Sequence, residues 1–159
     1  VTDIRLEMTQ NGGDLVLAGF DLDRDDGLES AVIVSLFTDA RCLPEQLTDE
    51  TENPRGFWGD TFSTDDGDQT GSLLWLLRRE KRVNRVLNQA RDYCEQSLAW
   101  MVRDKIARKV TVTTEYLSSG VMLIRIEIYR PTGDSVDFRF DYAWEQQALR
   151  SASATVISG

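Results

Sequence analysis

The chain has 159 residues, enough for one domain whose core needs neither disulfides nor a structural metal. A net charge of −9 and an isoelectric point near 4.5 repel phosphate backbones and anionic bilayers. These values exclude nucleic acid and membrane surfaces as natural partners and leave other proteins. There is no histidine, which removes Ser-His-Asp catalysis, Cys-His catalysis and histidine-ligated metals from within the chain.

The N-terminus reads as a hairpin. Ile4, Leu6 and Met8 alternate with polar residues, Asn11-Gly12-Gly13 is a turn signal, and Leu15-Val16-Leu17 follows. Val1 to Gln10 lacks a basic start followed by an apolar run, so no signal peptide is expected and synthesis in a cytoplasm follows. The run Asp21-Leu22-Asp23-Arg24-Asp25-Asp26-Gly27 looks like a calcium loop, but an EF-hand needs glycine at its sixth position and glutamate at its twelfth. Asp26 and Val32 stand there, so the acidic run is expected to cap the next helix instead.

That helix starts at Leu28, with Leu28, Ala31, Val32, Ser35 and Leu36 at helical spacing, although Val32-Ile33-Val34 favour strand by propensity. Residues 43–53 form an acidic loop flanked by Pro44 and Pro54, and residues 63–70 a second one carrying Asp65, Asp66 and Asp68. Neither loop fixes a carboxylate pair in a pocket, so no metal site and no catalytic residue is expected.

Residues 56–100 hold the features around which the rest is arranged. Gly56-Phe57-Trp58-Gly59-Asp60 presents two large rings between glycines; they are expected either to pack under the following apolar helix or to anchor a partner. Gly71-Ser72-Leu73-Leu74-Trp75-Leu76-Leu77-Arg78-Arg79-Glu80-Lys81 is a short apolar plug with Ser72 placed to accept from first-turn amides and basic residues at the C-terminal end. Its apolar core is far too short to span a bilayer. A long amphipathic helix follows from Asn84, a candidate N-cap, to Arg103, with Leu87, Ala90, Tyr93, Cys94, Ser97, Leu98 and Met101 as its stripe. Cys94 on that stripe reads as a small core residue, and with Cys42 it forms no CxxC motif, so both thiols are expected to be reduced.

After Ala107 the period changes to two. Val110, Val112, Thr114 and Tyr116 mark one strand, Ile124, Ile126 and Ile128 a second, and Val136, Phe138 and Phe140 a third, with turns at Ser118-Ser119-Gly120 and Pro131-Thr132-Gly133-Asp134. The expected fold is α+β: an N-terminal hairpin, two to three helices including the long amphipathic one, and a C-terminal three-stranded antiparallel meander packed on it. Residues 1–144 form the domain, and residues 145–159, rich in alanine and serine, are expected to trail as an arm or tail. Unless the N-terminal hairpin covers one, the edge strands would be 110–116 and 136–141, the second displaying Asp137, Arg139 and Asp141 outward.

Charge is uneven along the chain. Residues 1–77 carry 17 acids and 4 bases, residues 78–109 carry 4 acids and 10 bases, and residues 110–159 carry 6 acids and 4 bases. Either the acidic loops pair internally with the basic helix, or opposite ends of copies or neighbours dock head to tail.

Leu28-Glu29-Ser30-Ala31-Val32, Ser35-Leu36-Phe37-Thr38-Asp39-Ala40-Arg41, Arg55-Gly56-Phe57-Trp58-Gly59-Asp60, the Gly71 to Lys81 motif, Ala99-Trp100 and Tyr129-Arg130-Pro131-Thr132-Gly133 together resemble the Mu-type phage baseplate wedge proteins. These are relatives of the sheath-initiator, or lysozyme-like wedge, proteins of contractile tails. The resemblance covers residues 20–144, with Phe57 standing where members often carry a second tryptophan. It implies a non-enzymatic structural protein of the virion tail baseplate. Such a protein links wedge subunits to the first sheath ring through contacts that include strand addition, is present in several copies of a symmetric assembly, and binds no cofactor. Its partners would be the tail sheath protein and other wedge proteins, and Phe57, Trp58, Asp137, Arg139 and Asp141 are the expected interface residues. Two other readings stand beside it: a carboxylate-based cell-wall hydrolase, and a regulatory adaptor, since the fold is similar to that of an anti-adaptor that binds a response regulator.

Overall fold

The computed structural model describes residues 27–47, 53–62 and 69–157, and nearer the N-terminus the backbone of six short strands. These are β1 (Asp3–Ile4), β2 (Leu6–Thr9), β3 (Gly12–Leu15), β4 (Leu17–Ala18), β5 (Asp21–Leu22) and β6 (Arg24–Asp25). β2 and β3 form the expected hairpin, with Thr9 opposite Gly12, while β1 pairs with β6 and β4 with β5.

Helix α1 (Leu28–Phe37) buries Val32, Ile33 and Leu36 with Ser30 and Ser35 beside them. Helical periodicity therefore prevails over the strand propensity of the valine-isoleucine run, because those side chains reach a common core only on a helix. Helix α1 starts after Gly27, at φ 80; the side chains of the acidic run expected to cap it lie outside the described residues. Past α1 the chain is clasped to the plug segment through Ala40 N–H to Ser72 O (3.0 Å) and Ser72 N–H to Thr38 O (2.9 Å). Gly71 sits inside this clasp at φ +101, where an added Cβ would lie 2.3 Å from the Thr38 carbonyl oxygen.

The plug is a 3-10 helix, Leu74–Arg79, that buries Leu74, Trp75 and Leu77. Ser72 Oγ accepts from Leu74 N–H at 3.2 Å, as its position in the motif predicts. Helix α2 (Asn84–Arg103) has the predicted span, but its N-cap is Val83 and lacks a side-chain hydrogen bond. Its buried stripe is Val86, Ala90, Cys94, Leu98 and Met101, with Leu87 and Tyr93 half-buried at the margins. Cys94 is fully buried, and burial pushes its thiol well above the usual range. Cys42 is likewise buried and free.

Strands β7 (Lys109–Ser118), β8 (Val121–Tyr129), β9 (Ser135–Ala143) and β10 (Ala148–Ile157) form one antiparallel sheet in the order β10-β9-β8-β7. The meander therefore has four strands, one more than the sequence reading: the stretch read as a trailing arm forms β10, paired with β9 from Ala148 opposite Ala143 to Ile157 opposite Ser135. Met122, Ile124, Ile126, Ile128, Phe138 and Phe140 bury against α2 and α1. Polar residues of β7 seal the seam, with Thr114 Oγ1 donating to Leu87 O (2.8 Å) and Tyr116 OH to Val83 O (2.7 Å). Trp144, 1% exposed, donates its indole N–H to Glu80 O at 3.1 Å and ties the end of β9 to the plug.

Among the described residues, Arg85 of the basic segment pairs with Glu80, Arg91 with Asp92 and Arg103 with Asp104. Both Asp65 and Asp66, and the acids at 49, 50 and 52, lie outside the described residues. Among the described residues no helix is long and apolar enough to cross a membrane.

Candidate functional site

The two rings expected either to be buried or to anchor a partner stand on the surface. Trp58 is 74% exposed and Phe57 38%. Phe57 precedes and Trp58 opens a 3-10 turn, Trp58–Phe62, whose last residue, Phe62, is 77% exposed. The rings form a cluster, with centroids 5.5 Å apart between Phe57 and Trp58 and 6.2 Å, edge to face, between Trp58 and Phe62. Burial under the plug does not occur because Leu74, Trp75 and Leu77 already fill that part of the core. Phe62 was missed in the sequence, although its place four residues after Trp58 is the available signal.

Local chemistry holds this spur in shape. Gly59 lets the Phe57 ring lie across the turn, where a Cβ would meet Phe57 Cε1 at 2.4 Å. Asp60 accepts from Thr70 N–H through both carboxylate oxygens (3.1 and 3.2 Å). The base of the spur is Arg55, a non-glycine residue at φ +59. Its Nη1 donates to Asp39 Oδ2 (2.6 Å) and to Gln147 Oε1 (2.8 Å), and its guanidinium lies 4.3 Å from the centroid of the Trp75 ring. Arg55 thus joins the end of α1, the plug and the β9–β10 turn at one point, and a planar fork is suited to making such contacts together.

The other three predicted interface residues stand on β9, which the structure corrects from an edge to an interior strand between β8 and β10. Asp137 is not outward and free. It is 9% exposed and grips Arg125 of β8, whose Nε donates to both its oxygens (3.0 and 3.1 Å). Arg125 Nη2 also reaches Glu127 at 3.2 Å, and these carboxylates, with the Asp137 hydrogen bond foremost, hold its guanidinium above its usual range. Arg139 is exposed and stands opposite Arg125 on β8 and Ser153 on β10; Asp141 is half-exposed opposite Leu123 and Ser151. The three residues share the sheet face turned away from α2.

The actual edges are β7 and β10. β7 carries Lys109 and Glu115, whereas β10 from Ser151 to Ile157 has no charge and no proline. The β2–β3 hairpin lies next to β10 but forms a sheet of its own. A cavity of about 300 Å³ opens between α1, the C-terminal half of α2 and residues 69–71, walled by Ser35, Ser97 and Trp100. Among the described residues no cluster of three or more Cys, Asp or Glu is placed to hold a metal ion.

Known proteins can be set against this geometry. The sequence profile of a family described as Phage protein GP46 matches residues 28–135. The chain is 38% identical over 144 residues to Mu-like prophage FluMu protein gp46 of Haemophilus influenzae, covering 91% of this chain and 98% of that protein. It is 34% identical over 145 residues to Baseplate protein gp46 of Escherichia phage Mu, with the same coverage of 91% and 98%. The chain belongs to the phage protein GP46 family, the Mu-type family to which its aromatic motifs point.

Proposed function

We propose that the chain is a non-enzymatic structural subunit of a phage tail baseplate, joining wedge subunits to the first ring of the tail sheath by protein-protein contacts. The observation that carries the baseplate role is similarity along nearly the whole length of the Mu baseplate protein. The connection to the sheath is strand addition on β10. Its outer amides and carbonyls have no sheet partner among the described residues, and Ser151 to Ile157 carries neither charge nor proline to blunt the edge, so an incoming strand would pair where the β2–β3 hairpin leaves β10 open. Phe57 and Trp58, with Phe62, serve the wedge contact, and Arg139 and Asp141 supply charge on the sheet face beside the added strand.

The test is co-expression with the tail sheath protein and the neighbouring wedge proteins of the same phage, followed by affinity capture. Proline placed in turn at positions 151–155 removes one amide at a time. Substitutions whose amide points away from β9 should abolish sheath capture while the thermal midpoint is retained. Capture that survives every folded proline variant rejects strand addition. For the non-enzymatic part, purified protein should release no muropeptides from peptidoglycan; release that is lost on Asp65→Asn or Asp66→Asn would make it a hydrolase.

A further inference from the structure

The two faces of β10 differ in character. Residues directly opposite one another in an antiparallel ladder share a face, and Ala152, Ala154 and Val156 stand opposite Phe140, Phe138 and Val136. Those three β9 residues are buried on the side of the helices, at no more than 3% exposure. Their β10 partners are not: Ala152 is half-buried, Ala154 is exposed and Val156 is 61% exposed. The core therefore stops at β10, and its rim on the helix side is a ledge of small or apolar side chains with solvent where a further strand's side chains would lie. The other face of β10 is hydroxylic as far as Thr155, with Ser151, Ser153 and Thr155 opposite Asp141, Arg139 and Asp137. Every residue from Ser153 to Ile157 is exposed with the β2–β3 hairpin in place, so the hairpin does not cover the ledge there.

We propose that β10 selects its partner by side-chain pattern: the segment it takes is an extended stretch of a neighbouring tail protein with large, uncharged apolar residues at alternate positions toward the helices and polar residues between them. The selection rests on strand addition as read above and adds which strands are accepted. Backbone hydrogen bonds along the edge are open to any extended chain, so they give affinity without choice, and choice falls to the alternate side chains. On the helix side an incoming residue lies across from one β10 residue and diagonally within reach of the next. Opposite alanines, a large side chain has room to lean over the ladder toward Phe138 and Phe140, which takes apolar surface of both chains out of water. A charge in that place would be covered without a partner, because the side chains of Ala152, Ala154 and Val156 offer no polar atom. On the other face Ser151, Ser153 and Thr155 can donate or accept, and Arg139 is exposed beside them, so polar residues are accommodated. A second β10 is a poor occupant, since its own small side chains would leave the ledge unfilled.

Capture of the tail sheath and wedge proteins of the same phage by the full chain, titrated in bait concentration, tests the selection. Ala154→Glu and Val156→Lys bring opposite charges onto the ledge, and both should weaken capture by about tenfold or more. Ser153→Glu and Thr155→Lys, on the other face, should stay within about threefold of wild type, as surface changes do. All four positions are exposed, so the thermal midpoints should match wild type. A photoreactive phenylalanine analogue in place of Val156 should cross-link to the captured protein within a segment whose apolar residues alternate. Loss in only one of the two ledge variants would make the contact electrostatic, and equal effects on the two faces would remove the selection; either result overturns the proposal, as does a cross-link to a second copy of this chain. The proline variants separate this from the reading it rests on. If proline in residues 151–155 abolishes capture while the ledge variants do not, strand addition stands and selection by pattern falls; if proline has no effect either, strand addition falls with it.

Discussion

Replacing Trp75 tests the packing argument most directly. Its side chain is 3% exposed, its indole N–H donates to Ala40 O at 2.9 Å, and the Arg55 guanidinium lies over its ring. Trp75→Ala removes the largest buried side chain of the plug, for which large-to-small core changes cost about 3–5 kcal/mol. The Ala40 carbonyl also loses its donor; water entering the new space can replace it in part, which holds the extra loss to about 1 kcal/mol. The expected total, about 4–6 kcal/mol, is a large share of the ~5–15 kcal/mol by which domains are stable. For a chain of this length it corresponds to a fall of roughly 10–20 °C in Tm. Trp75→Phe retains an aromatic ring in the core and loses the N–H donor, so it should cost about 1–2 kcal/mol. Urea denaturation followed by far-UV circular dichroism, with linear extrapolation for both variants, gives the two numbers. An alanine variant within about 1 kcal/mol of wild type, or a phenylalanine variant as damaged as the alanine one, would refute the reasoning.

Gly71→Ala should destabilise by more than about 2 kcal/mol in the same assay, because its φ of +101 is unfavourable for alanine and the new Cβ collides with the Thr38 carbonyl. Retention of the wild-type midpoint would show that the clasp yields easily. Arg55→Lys should cost about 1 kcal/mol, since an ammonium cannot reach Asp39 and Gln147 while stacking on Trp75; partial exposure of the Asp39 pair keeps the figure small. A neutral outcome would demote Arg55 to a surface contact. Both cysteines should resist a water-soluble thiol reagent in the native protein and react, two per chain, in denaturant. Rapid native labelling would contradict the burial of Cys94.

The sequence by itself determined the elements whose side chains alternate between core and solvent. Helix α2 was legible to its ends because Ala90, Cys94, Leu98 and Met101 recur at helical spacing, and the next three strands because Val112, the isoleucines of β8 and the phenylalanines of β9 recur at period two. The Mu-type resemblance and the family membership likewise rest on residues legible in the chain alone. Tertiary structure alone decided β10. Its inward positions, such as Ala152 and Ala154, are small and its outward ones are serine and threonine, so pairing along β9 rather than burial holds it and no hydrophobic pattern announces it. That one strand moves Asp137, Arg139 and Asp141 from an edge to the interior of the sheet. The exposure of Phe57 and Trp58 was also beyond the sequence, because ring size favours burial and only the finished core shows that Trp75 and its neighbours have left no room. Local pattern reports which face a residue prefers; which faces remain uncovered depends on how distant segments fill space, and that is a property of the packed molecule.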